Sequence, residues 1–115
     1  MTLKNYANFR LGILAADGVC RPFDEDATGF SRADTICEIF LQKMKDSKRI
    51  YANLVYSSSN NDGFKKEGAS FPSKVMQQKL IEDFYKTLKF DPERVNFVEA
   101  HSTGTKLGDP EEVAA

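Results

Sequence analysis

A short apolar run followed by a histidine-containing loop constrains the fold of this chain more than any other sequence feature. Residues 95–98 (Val-Asn-Phe-Val) have the apolar character and the length of a buried strand. His101, the only histidine in the sequence, follows soon after this run. In open α/β sheets, ligands bind beyond the carboxyl ends of the strands. The sequence therefore predicts an α/β fold in which an imidazole lies at the end of a strand.

The loop after this histidine alternates hydroxyl side chains with glycine. Thr103 and Thr105 flank Gly104, and Gly108 follows. Hydroxyl groups both donate and accept hydrogen bonds, so they suit a neutral ligand that contains amides. They also close turns, and the residues alone leave both roles open. The two glycines are expected to supply backbone conformations that other residues resist.

The loop ends in a signal for the start of a helix. Asp109 has the position of an N-cap, Pro110 that of the first helical residue, and Glu112 completes a capping box. We therefore predict a helix directly after Asp109, with Asp109 and Glu112 as structural supports of the loop.

Two stretches of the chain resemble one known family. Residues 99–112 (Glu-Ala-His-Ser-Thr-Gly-Thr-Lys-Leu-Gly-Asp-Pro-Glu-Glu) resemble the EAHGTGTxxGDPxE signature of the β-ketoacyl synthases, the condensing enzymes of fatty-acid and polyketide synthesis. Residues 9–14 and 17–24 resemble the FxRLGMLSxDGxCRPFD segment of the same enzymes. Residues 61–73 are more similar to animal-type fatty-acid synthase than to modular polyketide synthase, which remains the alternative.

The resemblance implies a fold and an activity. The fold would be the thiolase-like layered α/β/α/β/α arrangement, with residues 1–115 forming only part of the domain, from behind the nucleophilic cysteine to the motif at 99–112. The complete domain would be a cytoplasmic homodimer that catalyses decarboxylative Claisen condensation of a malonyl-carrier with an acyl-enzyme thioester. Its partner would be an acyl carrier protein or domain, with no cofactor bound directly.

The resemblance also assigns roles to the motif residues. His101 would be catalytic, assisting decarboxylation of the malonyl thioester and stabilising the enolate oxygen. Thr103 and Thr105 would bind the amides of the phosphopantetheine arm of the carrier protein. Further residues would support the site: Gly104, Gly108, Asp109 and Glu112.

The chain departs from the family pattern in three places. The family's nucleophilic cysteine lies in a T-A-C-S-S segment, whereas Cys20 corresponds to the cysteine of CRPFD and Cys37 falls in a predicted strand. The chain alone is therefore expected to be inactive, and a non-catalytic remnant of the fold is a further alternative. Ser102 replaces the glycine of HGTGT, and residues 31–35 replace a GRGEG-like run.

Periodicity predicts the remaining elements. Met1–Arg10 has no clear period and is expected to be a loop or a short helical turn. Thr35–Leu41 fits a helix or a strand by pattern, and the resemblance favours a strand that passes into a short helix across Lys43–Lys48. Ile50–Tyr56 alternates as a strand does. Ser73–Phe90 is the clearest helix, since its apolar residues recur every four positions and Ser73 can cap its start.

Composition and spacing argue against several classes of function. A net charge of −1 gives no reason to expect nucleic acid or an anionic membrane as a partner. Two cysteines are too few for a disulfide framework, which favours a reducing compartment such as the cytoplasm. We predict no metal site. Asp24 and Asp26 begin a pattern similar to a calcium loop, but Thr35 stands where that loop needs a bidentate glutamate.

Overall fold

The computed structural model describes residues 3–115, so the first two residues of the predicted segment Met1–Arg10 lie outside the described residues. Residues 3–115 contain three α-helices: α1 (Leu3–Arg10), α2 (Lys74–Leu88) and α3 (Gly108–Val113). Two turns of 3₁₀ helix, Met44–Asp46 and Pro92–Arg94, lie between them. The short helix predicted across Lys43–Lys48 is thus one 3₁₀ turn.

The predicted helix over Ser73–Phe90 is confirmed with its cap. The Ser73 hydroxyl accepts a hydrogen bond from the amide of Met76, 3.3 Å away, which satisfies one of the free donors at the start of α2. At the other end, Lys89 takes a left-handed conformation with φ 51° and donates its amide to Tyr85. Asp91 then caps the 3₁₀ turn that begins at Pro92. Local sequence signals therefore define this element completely.

The apolar face of α2 is half-buried. Phe84 packs edge-on against Tyr56, with ring centroids 5.3 Å apart. Ser57, Ser58 and Val98 continue this contact surface and form a shallow apolar groove along the helix. Ile81, on the same face, remains 49% exposed. The apolar face of α2 therefore contacts Tyr56 but remains partly open to solvent.

None of the three predicted strands forms within residues 3–115. Thr35–Leu41, Ile50–Tyr56 and Val95–Val98 have no ladder of backbone hydrogen bonds, and one isolated parallel bridge joins Leu14 to Phe30. The physical reason is that a strand exists only when a neighbour pairs with its backbone, however suitable its side chains are. Within residues 3–115 no backbone hydrogen bond pairs any of these three segments with a neighbouring strand.

The radius of gyration and the exposure of apolar side chains agree with the absence of these strands from the described part of the chain. The radius of gyration is 17.5 Å, whereas a compact domain of this length has about 13 Å. Ile36 is 92% exposed and Phe40 is 86% exposed. The buried apolar residues are only Ala15 and Ala27 among those described. The predicted α/β/α/β/α layering is therefore not formed within residues 3–115.

One compact unit does form, and it lies where the two ends of the chain meet. The bridge between Leu14 and Phe30 closes the segment between them into a loop, with Ala15 donating its amide to Phe30 and Phe30 to Ile13, both at 3.0 Å. Residues 101–112 pack onto this loop. We call residues 13–30 and 101–112 together the two-loop unit.

Helix α3 joins the two-loop unit to α2. The Glu111 side chain on α3 accepts a hydrogen bond of 3.1 Å from the amide of Lys74, the first residue of α2. A carboxylate at a helix N-terminus both satisfies a free amide and interacts favourably with the helix dipole. The orientation of α2 relative to the site is therefore fixed at its first residue.

Candidate functional site

The site begins with a close approach of two backbones that are far apart in sequence. Gly104 has a positive φ of 73°, and a Cβ on it would lie 3.0 Å from the backbone nitrogen of Arg21. Its carbonyl accepts a hydrogen bond of 2.9 Å from the amide of Gly29. Both the conformation and the contact require glycine at position 104. The predicted supporting role of Gly104 thus has a specific partner, the loop around Arg21.

Asp109 is the buried charged residue of the two-loop unit, with 5% of its surface exposed. Its carboxylate accepts hydrogen bonds from the amides of Phe23 (2.9 Å), Gly104 (3.1 and 3.2 Å) and Thr105 (3.3 Å). Buried amides need acceptors, and an ionised carboxylate supplies strong ones. Asp109 therefore connects both loops through their backbones.

This geometry corrects the predicted capping box. Helix α3 begins at Gly108, and Leu107 in the N-cap position makes no side-chain cap bond. The carboxylate of Asp109 instead accepts two amides of the preceding loop and one of the upstream loop, which would otherwise be left without an acceptor. A helix does start at this point of the sequence, but Asp109 is not its cap.

Glu112 supports the backbone that carries the histidine. One carboxylate oxygen accepts from the amide of His101 at 2.7 Å, and the other from the amide of Ser102 at 2.8 Å. Both hydrogen bonds are short and charge-assisted, so they hold this part of the loop firmly. Glu112 does not reach back to the start of its own helix, as a capping box requires.

Ser102 occupies a strained position between these contacts. Its φ is 38°, in the left-handed region where glycine is favoured. Its hydroxyl donates to the carbonyl of Ala100 at 3.3 Å, which gives the side chain one local partner. The substitution of the family's glycine by serine therefore has a backbone cost in this chain.

The hydroxyls of Thr103 and Thr105 lie together. Their Oγ1 atoms are 3.4 Å apart, and Thr105 Oγ1 also accepts the amide of Gly108 at 3.1 Å. A Cβ at position 108 would clash with the Thr105 hydroxyl, so Gly108 leaves room for this arrangement. Both threonines are half-buried. They form a small, uncharged hydrogen-bonding surface.

The His101 ring is exposed next to this surface in sequence, while its backbone is held by Glu112. Within residues 3–115 the ring has no hydrogen-bond partner. The hydrogen bonds thus gather the predicted site residues into two groups. Asp109 links Gly104 and Thr105, and Thr105 in turn contacts Thr103 and Gly108. Glu112 holds the backbone that carries His101.

Sequence reasoning missed the contribution of the upstream loop. Phe23 and Gly29 donate their amides into the site, and the Arg21 backbone lies against Gly104. The Arg21 guanidinium pairs with Asp17 at 2.6 Å. This hydrogen bond, together with the amide of Val19, lowers the pKa of Asp17. The resemblance of residues 17–24 to a family segment was the signal that could have indicated this role.

The two cysteines have no geometry that suggests a nucleophile. Cys20 Sγ accepts the amide of Ser31 at 3.0 Å, and Cys37 is exposed in the extended segment that was predicted as a strand. Across residues 3–115 we find no cluster of three or more metal-ligating side chains. The helices in this part of the chain are also too short or too polar to cross a membrane.

Comparison with known proteins agrees with the motif residues. Residues 51–115 match the family model for the β-ketoacyl synthase C-terminal domain. The chain is 42% identical over 104 residues to a fatty acid synthase of Anser anser anser, a match that covers 90% of this chain and 30% of that protein. It is 39% identical over 108 residues to the highly reducing polyketide synthase gloL of Glarea lozoyensis, covering 90% of this chain and 4% of that protein.

A bacterial relative extends the same match. The polyketide synthase PksL of Bacillus subtilis is 39% identical over 120 aligned residues, which cover 100% of this chain and 3% of that protein. The chain thus spans less than a third of the length of each of these three relatives. The matched family has the thiolase-like fold. Because the family model matches more than half of its residues, the chain belongs to the β-ketoacyl synthase family.

Proposed function

We propose that residues 1–115 form part of a β-ketoacyl synthase domain that performs decarboxylative Claisen condensation in fatty-acid biosynthesis. The observation that carries the proposal is the exposed residue His101 on a backbone held by Glu112, followed in sequence by the hydroxyl pair Thr103 and Thr105. In the complete synthase, the layered α/β/α/β/α arrangement would pair and cover the extended segments that are exposed here.

His101 is proposed to stabilise charge that develops during decarboxylation. As the malonyl thioester loses carbon dioxide, the electrons of the broken C–C bond move into an enolate, whose oxygen accepts the imidazole N–H. The enolate carbon then attacks the carbonyl of the acyl-enzyme thioester, and the enzyme thiolate leaves as the 3-ketoacyl product forms. A donor already in place for the enolate favours the transition state over the ground state.

Thr103 and Thr105 are proposed to bind the phosphopantetheine arm of an acyl carrier protein. The arm presents amides near its thiol end, and the paired hydroxyls offer both donors and acceptors without charge. Gly104, Gly108 and Asp109 support these threonines, and Glu112 supports the adjacent backbone of His101 and Ser102. The arm arrives with the substrate, so no cofactor bound directly to the chain is needed.

The nucleophilic cysteine is proposed to come from another part of the synthase. Neither Cys20, which accepts the Ser31 amide, nor Cys37, which is exposed on an extended segment, is assigned this role. Residues 1–115 alone are therefore expected to be inactive in condensation. We further propose that the complete enzyme is a cytoplasmic homodimer.

The test uses a chimaera in which this chain replaces the matching segment of a homologous fatty acid synthase. In that protein, His101→Ala should lower carbon dioxide release and condensation by about 100- to 1,000-fold, as loss of one such donor typically does. Loading of the acyl group onto the cysteine should persist, because its charge develops on another oxygen. His101→Asn keeps a neutral N–H donor and should retain more activity.

Thr103→Ala in the same chimaera should mainly raise the apparent KM for carrier-bound substrate, because its partner is the arm and not the reacting centre. Thr87→Ala, an exposed threonine on α2, is the matched control. Equal losses of acyl loading and condensation in His101→Ala would contradict the catalytic role and indicate a structural histidine, whereas a non-catalytic remnant would leave the unmodified chimaera inactive.

A polyketide synthase is the second candidate. The polyketide synthase relatives are 38–41% identical to this chain, close to the 42% of the fatty acid synthase. Both classes would use the same residues for condensation. The product of the complete synthase distinguishes them, since fatty-acid synthesis yields a fully reduced chain and polyketide synthesis retains keto or hydroxyl groups.

A further inference from the structure

The loop of residues 17–30 contacts the site, yet the family match at residues 51–115 does not include it. Within this loop, Phe23 has a φ of 60°, a left-handed conformation that a bulky residue rarely adopts. Non-glycine residues in such conformations persist only where the surrounding structure compensates for their cost. The structure shows what compensates here.

The amide of Phe23 donates a 2.9 Å hydrogen bond to Asp109 Oδ2, across 86 positions of sequence. This is the shortest of the hydrogen bonds that the buried carboxylate accepts. Oδ1 serves the amides of Gly104 and Thr105, and Oδ2 is shared between Gly104 and Phe23. The orientation of the carboxylate therefore depends on donors from both loops, and the upstream loop supplies the shortest hydrogen bond.

Two further contacts keep the loops in register. Gly29 donates its amide to the carbonyl of Gly104, and Gly104 lies against the Arg21 backbone. Both contacts are made at Gly104, the residue before Thr105. The hydroxyl of Thr105 lies 3.4 Å from that of Thr103. Loss of the Phe23 donor would leave Oδ2 with only the 3.2 Å hydrogen bond from Gly104, so that Asp109 could turn more readily away from the Thr105 amide.

We infer that the Phe23 amide is a positioning group of the condensing site. Through Asp109 it fixes the backbone of Gly104 and Thr105, and so places the hydroxyls of Thr103 and Thr105 for the carrier arm. This inference rests on the proposed function for its effect on substrate. The link between the two loops stands on the hydrogen bonds alone.

The test replaces the Phe23 amide by an ester, by incorporating phenyllactic acid at position 23 of the chimaera described above. The side chain stays the same and only the N–H donor is lost. Phenyllactic acid at position 64 is the matched control, because Phe64 is 91% exposed and its amide makes no hydrogen bond within residues 3–115.

Two measurements are expected to change at position 23 and not at position 64. Hydrogen exchange of the Gly104 and Thr105 amides should become faster. The apparent KM for carrier-bound substrate should rise about tenfold, the size expected for one hydrogen bond to a charged group, while acyl loading persists. In a Thr105→Val background, the ester should raise KM much less.

Unchanged exchange at Gly104 and Thr105 overturns the inference, whatever the activity. Faster exchange with an unchanged KM also overturns it, because the contact would then be structural only. An equal fall in acyl loading and in condensation would also overturn the inference. Failure of the proposed function has a different result: the unmodified chimaera would not condense, although the exchange measurement would still report on the Phe23 link.

Discussion

The two-loop unit and the segment between residues 31 and 64 differ in whether their backbone groups have hydrogen-bond partners. In the two-loop unit, carboxylates and glycines supply the partners: Asp109 accepts three amides, and Glu112 accepts two. Residues 35–41 and 50–56 carry the side chains of buried strands but have no backbone partner within residues 3–115. The first region therefore forms from its own residues, whereas the second requires neighbours.

The comparison teaches that a site can be assembled before the layers that enclose it. Side-chain acceptors act over short distances and need only two loops to meet. Strand pairing needs a complete neighbouring backbone, and apolar faces need a second layer to cover them. The following predictions test this distinction in order of decreasing effect, with stability measured on the chimaera unless stated.

The largest effect is expected at Asp109. Asp109→Ala removes the acceptor of three amides in a buried place, so we expect a loss of about 3–5 kcal/mol in the free energy of unfolding. Asp34→Ala, in the exposed region, should change it by less than about 0.5 kcal/mol. Denaturant unfolding measures both. Similar effects at the two positions would contradict the distinction between the regions.

Gly29→Ala and Gly63→Ala form a matched pair, since both glycines have positive φ, 135° and 66°. A Cβ at Gly29 would clash with the backbone of Ile13, while nothing lies within 4 Å of a Cβ at Gly63. We expect about 2–3 kcal/mol of destabilisation at Gly29 and about 1 kcal/mol at Gly63. Thermal unfolding compares them, and equal shifts would mean that close packing at Gly29 is unimportant.

The exposed apolar segment should make the isolated chain associate. Ile36 and Phe40 are 92% and 86% exposed, and unpaired apolar segments favour contacts between molecules. Phe40→Ser should weaken self-association by about tenfold or more, because burial of such a side chain contributes about 1.5–3 kcal/mol. Sedimentation velocity measures this. A monodisperse monomer before substitution would show that this region needs no neighbour.

Ser102→Gly should stabilise the site by about 1 kcal/mol, because glycine adopts the φ of 38° without the cost that serine incurs. The lost hydrogen bond to Ala100 offsets part of this gain. The change in melting temperature measures the effect, with Ser59→Gly in the exposed region as the control. A decrease in melting temperature at position 102 would mean that the serine hydroxyl outweighs the strain.

The smallest effect concerns Glu82 on the exposed face of α2. The hydrogen bonds from Lys86 and Gln78 lower the pKa of Glu82. A lowered carboxyl pKa adds stability that is present above the unfolded-state pKa and is lost as pH falls through the folded-state pKa. The helical signal in circular dichroism should thus decrease slightly on acidification, and less so in high salt. In Glu82→Gln this part of the pH dependence should be absent.

Local signals made part of the structure predictable. The cap at Ser73, the four-residue apolar repeat and the break at Asp91 act within a few residues, and α2 forms where they indicate. The residues of the motif at 99–112 make local hydrogen bonds with one another, and their roles in catalysis and binding stay predictions. The strands were wrong because apolar alternation reports what a segment is suited for, and pairing depends on residues elsewhere.

The capping box predicted for Asp109 and Glu112 was wrong for a related reason. A capping box and a carboxylate that accepts distant amides use the same residue types at the same spacing. Only the fold shows that Asp109 meets the Phe23 amide 86 positions away. No periodicity in the sequence could have indicated that contact.

Helix α3 also has a consequence for insertions and deletions. Its adjacent residues Glu111 and Glu112 accept amides from two different elements. Glu111 accepts from Lys74 at the start of α2, and Glu112 accepts from His101 in the loop before α3. One added residue between them would turn one carboxylate about 100° around the helix axis, since a turn contains about 3.6 residues. One of the two hydrogen bonds would then be lost. Both hydrogen bonds therefore depend on the number of residues in this short helix. We expect substitutions there to be tolerated more readily than insertions or deletions.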